Sequence, residues 1–574
     1  MENQTTEVLI VGGGPTGLMC ALLLARYGIK TILVEQHPGL SIHPRARGLN
    51  VRTMETLRAI GLESQVLAAG AALKNSRYML FVETLAGREI RRIPDADLMP
   101  LGDDLEHITP CTWTQCAQDE LEPILLSEAQ QYGATVLFNT ELVDFSQDVL
   151  GVVALMKNRI TGETFTIQAT YMVAADGTNS PIVAALNQPT TYIGSQGHYV
   201  NVYFRADLSD LVKDRWFGIC FVENDDPEVN GSLFLAVNNT DKWLLNIPYL
   251  PEKNQKPQDF TKERCIDLVQ RAVGLPSLEV DLLSVLPWEA AGQYVNSMQA
   301  GRVFIMGDAA HVMPPAGGFG LNTGIQDAHN LAWKLAMIFR GAANSHLLDT
   351  YNNERQPVAK STVESAFRDF GAPDPGGPPG QWEGDGPPDS EEGDWAGPPE
   401  ENEVNENGEQ DWGGEFDLTS VLVPVLGYRY NSIAVPDAIP IPADGQLDLT
   451  GKPGTRAPHV WLERDGKRIS TIDLFDGPFV LLAGPQGTAW CDAASRAGET
   501  RNFDVVAYTA GEGGKLVDPG NRWCEAYGVE PDGAVLVRPD GFVAWRAERA
   551  SLDPYGVIEH VLARIAGAFG GQIF

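Results

Sequence analysis

The sequence predicts a multidomain α/β protein, with a nucleotide-binding unit on a parallel sheet, an inserted antiparallel β-sheet domain and a small C-terminal α/β domain. Three observations predict this fold class. The chain opens with a strand, a glycine-rich turn and a helix, two internal stretches change to period-two alternation, and residues 454–574 alternate strands with helices. The length of 574 residues suits three or four structural units, at roughly 150 residues each.

The first predicted strand covers residues 7–11, and the turn after it has the spacing G-x-G-x-x-G. In this pattern the first glycine permits a tight turn, the second lets the backbone approach a pyrophosphate, and the third allows close packing of helix on strand. The candidate nucleotide-binding residues of this turn are Gly12, Gly14, Pro15, Thr16 and Gly17.

A helix over 18–27, ended by Gly28, and a second strand over 31–34 complete a βαβ unit, and Glu35 follows directly. A carboxylate at that point can accept a hydrogen bond from the ribose of an adenosine. Because strand, glycines, helix, second strand and acid occur in order, the sequence predicts a Rossmann-type dinucleotide site. An acid in place of an arginine favours an adenosine with a free 2′-hydroxyl.

Alternating apolar and polar residues mark the stretches 74–106 and 192–288, a pattern typical of antiparallel strands with one covered face. We interpret the two stretches as one inserted domain. Aromatic side chains on such strands either line a ligand pocket or fill the core. They are Phe217, Phe221, Phe234, Trp243 and Tyr249, of which Trp243 and Tyr249 are substrate candidates.

A second nucleotide motif begins near residue 301, where a strand over 303–306 leads to Asp308, a glycine-rich loop and a helix over 324–339. An Asp after a strand can bind a polyol hydroxyl, while the loop and the helix N-terminus offer backbone N–H groups to an anion. This combination suits the ribityl chain of a flavin and the negative charge of its reduced ring. The candidate contacts are Asp308, Pro315, Gly320, Leu321 and Asn322.

Residues 372–414 are rich in Pro, Gly, Glu, Asp and Asn, and the span from Asp374 to Asp417 holds 15 acidic residues and no Lys or Arg. Such a segment buries too little apolar surface to offset the entropy cost of ordering. We expect a flexible acidic segment that serves as a spacer, or as a docking peptide through its three Trp residues. Much of the formal net charge of −34 is therefore local.

Composition excludes several classes of protein. The surplus of 76 Asp and Glu over 42 Lys and Arg argues against nucleic acid or an anionic membrane surface as the main partner. No apolar run approaches the ~20 residues of a membrane span, and residues 1–7 lack the features of a signal peptide. The 7 cysteines show no C-x-x-C pair and no zinc-like spacing. We expect a cytoplasmic protein without a metal site.

With both nucleotide motifs present in order, the chain resembles the FAD-dependent aromatic hydroxylases, which include phenol hydroxylase and the aromatic polyketide hydroxylases. The resemblance covers residues 7–366 and the C-terminal domain, whose segments 453–459 and 534–546 are similar to the thioredoxin-like tail of those two branches. It implies FAD as cofactor, NADPH or NADH and O2 as co-substrates, a small aromatic substrate and a homodimer.

The resemblance carries a few further positions over by motif. Arg45, in Pro-Arg-Ala-Arg-Gly, matches an arginine that contacts the flavin, and Gln118 matches a glutamine that reaches FAD. Pro315 and Asn322 match positions beside the isoalloxazine ring. The alternative for Arg45 and Gln118 is a local structural role.

One family motif is altered in this chain. The usual D-G-x-x-S-x-V-R occurs as 176–183 and keeps Asp176 and Ser180, but Val183 replaces the terminal arginine. Since the motif is implicated in both FAD and NAD(P)H contacts, Asp176 is a cofactor candidate, and the choice between NADH and NADPH stays open.

The family mechanism implies that hydride from the nicotinamide reduces the flavin, O2 adds to form a C4a-hydroperoxyflavin, and an electron-rich phenol ring takes the terminal oxygen. The sequence names no catalytic base. Arg47 stands where phenol hydroxylase has an aspartate, and a guanidinium cannot act as a base but could stabilise a phenolate. The substrate candidates are Arg47, Trp243, Tyr249 and Pro315, with a flavin contact or a structural ion pair as the alternative for Arg47.

Two other functions stay open at this stage. The same fold and cofactor serve enzymes that carry out epoxidation or Baeyer–Villiger oxidation, because the fold constrains the flavin more than the oxygen acceptor. A protein of another class, an inactive flavin-binding partner or sensor, also matches the altered motif and the acidic segment.

The expected division of the chain follows from these readings. The FAD-binding domain comprises 1–73, 107–191 and 289–371, the substrate-binding β domain 74–106 and 192–288, the acidic segment 372–414, a connector 415–453, and the thioredoxin-like domain 454–574.

Overall fold

The computed structural model describes residues 3–94, 105–371, 418–438 and 447–567. The predicted acidic segment 372–414 lies outside the described residues, as do 95–104 of the β domain and parts of the connector.

The strands range from 2 to 16 residues in length. They are β1 (Gln4–Val11), β2 (Thr31–Val34), β3 (Gly48–Leu49), β4 (Tyr78–Val82), β5 (Glu89–Pro94), β6 (Thr114–Gln115), β7 (Thr135–Leu137), β8 (Thr140–Gln147), β9 (Val152–Asn158), β10 (Thr164–Ala174), β11 (Thr190–Arg205), β12 (Phe217–Val222), β13 (Leu233–Ala236), β14 (Lys242–Tyr249), β15 (Asp281–Val295), β16 (Gln299–Ala300), β17 (Val303–Ile305), β18 (His311–Val312), β19 (Trp461–Arg464), β20 (Lys467–Ser470), β21 (Phe479–Ala483), β22 (Val505–Thr509), β23 (Ala534–Val537) and β24 (Val543–Ala547).

The helices range from single turns to one of 26 residues. They are α1 (Pro15–Arg26), α2 (Val51–Ala59), α3 (Glu63–Ala69), α4 (Leu105–Ile108), α5 (Gln118–Gln131), α6 (Pro181–Ala185), α7 (Ser209–Val212), α8 (Lys262–Val273), α9 (Phe319–Phe339), α10 (His346–Gly371), α11 (Leu418–Leu426), α12 (Thr488–Arg501), α13 (Trp523–Tyr527) and α14 (Pro554–Ile565).

The first sheet has the order β16-β17-β10-β1-β2-β7, with the hairpin β8-β9 paired to β10. Strands β17, β10, β1, β2 and β7 run parallel, as the βαβ pattern predicts. Val11 pairs with Ala174, and Ala174 pairs with Ile305, so three neighbouring strands end in register. The glycine turn, the 175–176 segment and the loop of Asp308 therefore leave the sheet at one edge, where ligands of such folds bind.

The second sheet has the order β18-β15-β11-β14-β13-β12-β4-β5 and joins strands from both alternating stretches. Its pairs are antiparallel except β12 with β4, which run parallel. Helix α8 covers one face with its apolar stripe of Cys265, Leu268, Val269, Ala272 and Val273. The opposite face is only half-buried at alternate strand positions.

The C-terminal unit is a four-stranded sheet, β22-β21-β23-β24, with β21 and β22 parallel. Strands β23 and β24 form a hairpin through the turn at Pro539 and Gly541. Helices α12 and α14 pack together on this sheet around Trp490 and Leu562. Within the described ranges, no helix is both long enough and apolar enough to cross a bilayer.

Candidate cofactor and substrate site

The glycine turn between β1 and α1 is shaped by close backbone approaches. Gly12 has a φ of +111°, and a Cβ on it would lie 2.1 Å from the carbonyl oxygen of Ala175. A Cβ on Gly17 would lie 2.1 Å from the carbonyl oxygen of Gly12. A Cβ on Gly14, by contrast, would meet nothing within 4 Å. The turn is thus tight toward the protein and open where a ligand would approach.

Helix α1 starts at Pro15 without a side-chain cap, so its first N–H groups receive no acceptor from the N-cap residue Gly14. Thr16 turns its side chain toward the second nucleotide motif, because a Cβ on Gly307 or Gly324 would lie 2.7 or 2.2 Å from its Oγ1. The two motifs are therefore in direct contact. The uncapped N-terminus is a site for an anion such as a pyrophosphate.

Glu35 lies at the end of β2, beside the glycine turn. Its Oε2 accepts a hydrogen bond from the backbone N–H of Gly13 at 2.7 Å, and its Oε1 accepts one from the N–H of His37 at 2.9 Å. These bonds fix the carboxylate next to the turn, and its remaining lone pairs can still accept from a ribose hydroxyl.

Asp176 follows β10 at the same sheet edge. Its Oδ1 accepts from the hydroxyl of Ser180 at 2.7 Å, and that hydroxyl accepts from the N–H of Val183, which caps α6. Burial raises the pKa of Asp176. The surviving Asp and Ser of the altered motif thus hold a helix start beside the glycine turn, and Val183 contributes only its backbone to this arrangement.

The side chain of Asp308 is exposed, yet desolvation by the surrounding protein raises the pKa of its carboxyl group. The positive charges of His311 and Arg45 oppose this rise. Both observations fit a carboxyl group on the wall of a cleft. Its loop is held by the buried Asp327, which accepts from the N–H of Gly307 at 3.1 Å and from His311 Nε2 at 2.7 Å. His311 is therefore a structural member of the loop.

Helix α9 starts five residues earlier than the sequence predicts, and its N-cap, Gly318, lacks a side-chain hydrogen bond. Asn322 is buried in the first turn, where its Oδ1 accepts from the N–H of Asn50 and its Nδ2 donates to the carbonyl oxygens of Gly48 and Gly318. This side chain ties the 48–50 segment to the helix start. The other predicted contacts of this loop, Pro315, Gly320 and Leu321, lie at exposed or half-buried positions around the same helix N-terminus.

Gln118 and Arg45 come from two segments that pack side by side. The N–H of Gln118 donates to the carbonyl oxygen of Ala46, and Gln118 Nε2 donates to Glu122 Oε1 at 2.6 Å. Glu122 Oε2 accepts from the N–H of Ser41 at 3.1 Å. Burial raises the pKa of Glu122 to about 7, while the positive charge of Arg45 lowers it. Arg45 is exposed, and its charge acts on both Glu122 and Asp308, so it lies near both carboxyl groups.

Arg47 lies between the two sheets. Its Nη1 donates to the backbone carbonyl oxygens of Gly218 and Ala236 on the second sheet, at 3.1 and 2.5 Å. Burial lowers the pKa of Arg47 to about 10, so the side chain stays charged at neutral pH. Among the residues that the structure describes, no carboxylate pairs with it, which disfavours the structural ion pair considered from the sequence.

The structure does not bring Trp243 and Tyr249 to this site. Both are buried among the side chains that α8 covers, where Trp243 Nε1 donates to the carbonyl oxygen of Ala206 and the Tyr249 ring packs edge-on against Phe260. Strand β14 places odd-numbered residues on that covered face, because side chains alternate between faces. The two aromatic residues belong to the core, which was the other interpretation of the sequence.

The half-buried face of the second sheet turns toward the segment 43–47. Tyr203 on this face stacks against His43 at 5.8 Å between ring centroids, and Phe81 stacks on Phe221 at 4.9 Å. Tyr199 stacks on Trp288 at 4.8 Å. The face therefore offers aromatic surface next to the segment that carries Arg45 and Arg47.

Sequence reasoning missed three residues that shape the site. They are Glu122, Asp327 and His43. Glu122 follows Gln118 by four residues, and this spacing along one helix face is a usable signal. Asp327 and His43 bear no local signal, since their partners come from other elements. Both ring nitrogens of His43 lack a hydrogen-bond partner among the described residues, and burial lowers its pKa to about 4.

Comparisons with known proteins agree with this arrangement. A family model described as FAD binding domain matches residues 5–366, and one described as aromatic-ring hydroxylase, C-terminal, matches residues 450–568. Tetracenomycin A2 monooxygenase-dioxygenase of Streptomyces glaucescens is 40% identical over 603 residues, which cover 100% of this chain and 99% of that protein. Aklavinone 12-hydroxylase of Streptomyces purpurascens is 34% identical over 575 residues, covering 98% and 99%.

Solved structures show the same likeness. The crystal structure of a ternary complex of aklavinone-11 hydroxylase with FAD and aklavinone gives a TM-score of 0.82 at 33% identity, covering 99% of this chain and 100% of that one. The flavin-dependent monooxygenase PieE in complex with FAD and substrate gives 0.80 at 31% identity, covering 98% and 99%. The predicted fold class, cofactor and enzyme class are thereby confirmed. The chain belongs to the FAD-dependent aromatic-ring hydroxylases, flavoprotein monooxygenases that use NAD(P)H.

Proposed function

We propose that this enzyme hydroxylates a phenolic ring of a polycyclic, polyketide-type aromatic compound, with O2 as the oxygen source. The observation that carries the proposal is the position of Arg47, a charged and desolvated guanidinium between the cofactor edge and an aromatic sheet face. The relatives support the substrate class, because two of them are named for aromatic polyketides.

We further propose which residues hold FAD. The glycine turn and the uncapped start of α1 would receive the pyrophosphate, Glu35 the adenosine ribose, and Asp308 the ribityl chain. Arg45, Gln118, Asp176 and the start of α9 at Gly320, Leu321 and Asn322 would complete the site. The open space at Gly14 and the accessible carboxylate of Asp308 fit such a ligand. When bound, FAD supplies the hydride acceptor and activates O2 for oxygen transfer.

The protein's own contribution to the chemistry would be made at Arg47. A phenol close to a guanidinium loses its proton more readily, since an opposite charge within about 4–6 Å favours the ionised form. A phenolate ring is a better nucleophile toward an electrophilic oxygen. The half-buried aromatic face would bind the polycyclic rings and exclude water from the reacting carbon.

Substrate turnover with labelled oxygen tests the proposal. NAD(P)H oxidation is measured against simple phenols and polycyclic phenolic quinones under 18O2, and products are examined by mass spectrometry. We expect one 18O atom in a new ring hydroxyl. Oxidation that releases only peroxide with every compound would refute hydroxylation, and a label within an enlarged lactone ring would instead identify Baeyer–Villiger oxidation.

The Arg47→Met variant tests the role of the guanidinium. Without the charge, we expect the KM for the phenolic substrate to rise about 10-fold or more, because a charge-assisted hydrogen bond contributes about 1.5–3 kcal/mol. The KM for NAD(P)H should not change. An unchanged KM for the phenol would remove Arg47 from the substrate site.

The homodimer stays a proposal that the family resemblance alone supports. Light scattering of the purified holoenzyme at several concentrations tests it, and a constant monomer mass would refute it.

A further inference from the structure

The turn at residues 538–541 joins β23 to β24 in the C-terminal unit, yet it is buried against the FAD-binding unit. Arg538 has an exposed fraction of 0% and Asp540 one of 2%. Arg538 donates through Nε to Asp540 Oδ1 at 3.0 Å, so the two charges also bind each other. A buried ionic turn at a domain junction needs partners from the other side.

Helix α10 supplies the first partner. Arg538 binds Glu354 through both guanidinium Nη atoms, at 2.6 and 2.9 Å. Lys334 Nζ donates to the same carboxylate at 2.7 Å. Burial alone would raise the pKa of Glu354, but the charges of Arg538 and Lys334 outweigh it and hold the pKa well below its ordinary value. The carboxylate is therefore ionised and fully paired.

Helices α9 and α2 supply the others. Asp540 Oδ2 accepts from Trp333 Nε1 at 3.1 Å and from Asn330 Nδ2 at 3.3 Å, both on α9. The backbone carbonyl oxygen of Asp540 accepts from Arg52 Nη2 on α2 at 2.5 Å. One turn of the C-terminal unit thus binds three helices of the FAD-binding unit.

Away from the turn at 538–541, each of these three helices is also connected to the candidate cofactor site. Helix α9 begins at the glycine-rich loop, and α2 begins after Asn50, whose N–H donates to Asn322 Oδ1. Helix α10 carries Arg355, which binds Asp327 Oδ1 at 2.8 Å, and Asp327 in turn holds the loop of Asp308 through Gly307. The spacing of the three helices therefore sets the spacing of the cofactor loops.

We propose that the turn at 538–541 is a positioning element of the flavin site, through which the C-terminal unit controls how tightly NAD(P)H oxidation is coupled to hydroxylation. The inference rests on the proposed placement of FAD. Hydrogen bonds and ion pairs have directions, so they fix the relative orientation of helices more narrowly than an apolar contact of the same size does.

The test compares Trp333→Phe with Trp490→Phe in the holoenzyme. Both tryptophans are buried, and each donates one Nε1 hydrogen bond, Trp333 to Asp540 and Trp490 to the carbonyl oxygen of Asp532 inside the C-terminal unit. The substitution is chemically identical, and phenylalanine keeps an aromatic face for the contact of residue 333 with Phe479. Only the first change touches the three-helix junction.

The readouts are the visible flavin spectrum, the rate of FAD release and the peroxide formed per NAD(P)H oxidised. For Trp333→Phe we expect a shifted flavin band and a severalfold larger peroxide fraction. For Trp490→Phe we expect the flavin band, the FAD release rate and the peroxide fraction of the wild type. Its change in Tm should be similar to that of Trp333→Phe. If the two variants give equal spectra, release rates and peroxide fractions, the inference fails and the turn only stabilises the fold. Asp540→Asn is a second variant, expected to give a still larger peroxide fraction.

A separate variant distinguishes failure of the proposed FAD placement from failure of the inference about the turn at 538–541. If Asp308→Asn leaves the affinity for FAD unchanged, that placement is wrong, whatever Trp333→Phe does.

Discussion

Glu122 is a single buried carboxyl group that links two segments of the candidate site. One oxygen accepts from the side chain of Gln118, and the other accepts from the backbone of Ser41. Burial raises its pKa from the ordinary 4.5 to about 7. Gln118, predicted to contact FAD, thus also has the local partner that was the alternative for it, and the second amide proton of its side chain stays available for a ligand.

The raised pKa of Glu122 predicts a pH-dependent stability. Between pH 4.5 and 7 the unfolded chain loses this proton while the folded chain keeps it, so this residue lowers stability as pH rises through the window, and its effect is constant above it. In Glu122→Gln we expect this decline to vanish. The free energy of unfolding of the wild type should therefore fall, relative to that of the variant, by on the order of 3 kcal/mol between pH 4.5 and pH 7.

The measurement is thermal unfolding at several pH values with constant excess FAD. Glu120→Gln on the same helix is the control, since that side chain is exposed. A wild-type-minus-variant difference in Tm that is independent of pH for Glu122→Gln would contradict the prediction.

At the scale of elements, two glycines of the turn between β1 and α1 differ in their surroundings, one being enclosed by the protein and the other open to a ligand. Gly12 is enclosed by backbone and has a positive φ, whereas Gly14 faces open space with a φ of −74°. This extended backbone conformation is one that any residue can adopt without strain. The reason for glycine there must come from what approaches the turn.

The pair Gly12→Ala and Gly14→Ala tests this separation. In Gly12→Ala we expect the free energy of unfolding to fall by about 3 kcal/mol or more, because the methyl group would overlap the Ala175 carbonyl and the backbone would be strained. In Gly14→Ala we expect the stability without FAD to change by less than about 1 kcal/mol, while the Kd for FAD rises about 10-fold or more.

Denaturant unfolding and FAD titration by fluorescence quenching measure the two effects. Equal FAD affinity in Gly14→Ala and the wild type would show that no ligand approaches the backbone at this point.

At the scale of the whole molecule, the C-terminal unit is attached to the FAD-binding unit by its own interface. Arg456 pairs with the buried Glu55 on α2, and Arg58 binds Asp473 at 2.6 Å. With the ion pairs of the turn at 538–541, these contacts join the two units through buried or half-buried charges. Removing one partner of a buried pair costs about 3–5 kcal/mol because the other charge is left buried and unpaired, so we expect these charges to stay paired when the segment between the two units is changed.

The interface predicts that the acidic segment is dispensable for cofactor binding. We expect replacement of residues 372–414 by Gly/Ser linkers of about 10 and about 20 residues to leave FAD bound, with a Tm within about 3 °C of the wild type. Absorbance and differential scanning calorimetry measure the outcome. An apoprotein with both linker lengths would show that the segment is part of the folded structure.

The sequence by itself determined the fold class, the cofactor and the order of the nucleotide motifs. These depend on residues that lie close together along the chain, such as the three glycines and Glu35, whose spacing reflects the fixed geometry of a strand, a turn and a helix. The sequence also determined that Asp308 follows a strand, and the parallel register then brought it to the edge of the glycine turn.

Only the tertiary structure decided which side chains lie in the core and which hold the loops. Trp243 and Tyr249 follow the same alternation as their neighbours on β14, but the packing of α8 decides which face is core. Asn322 has partners near residue 50, Arg538 has a partner in Glu354, and the carbonyl acceptors of Arg47 are on another sheet. Such contacts join residues far apart in the chain, and no local spacing records them, because they form only when separate elements pack together.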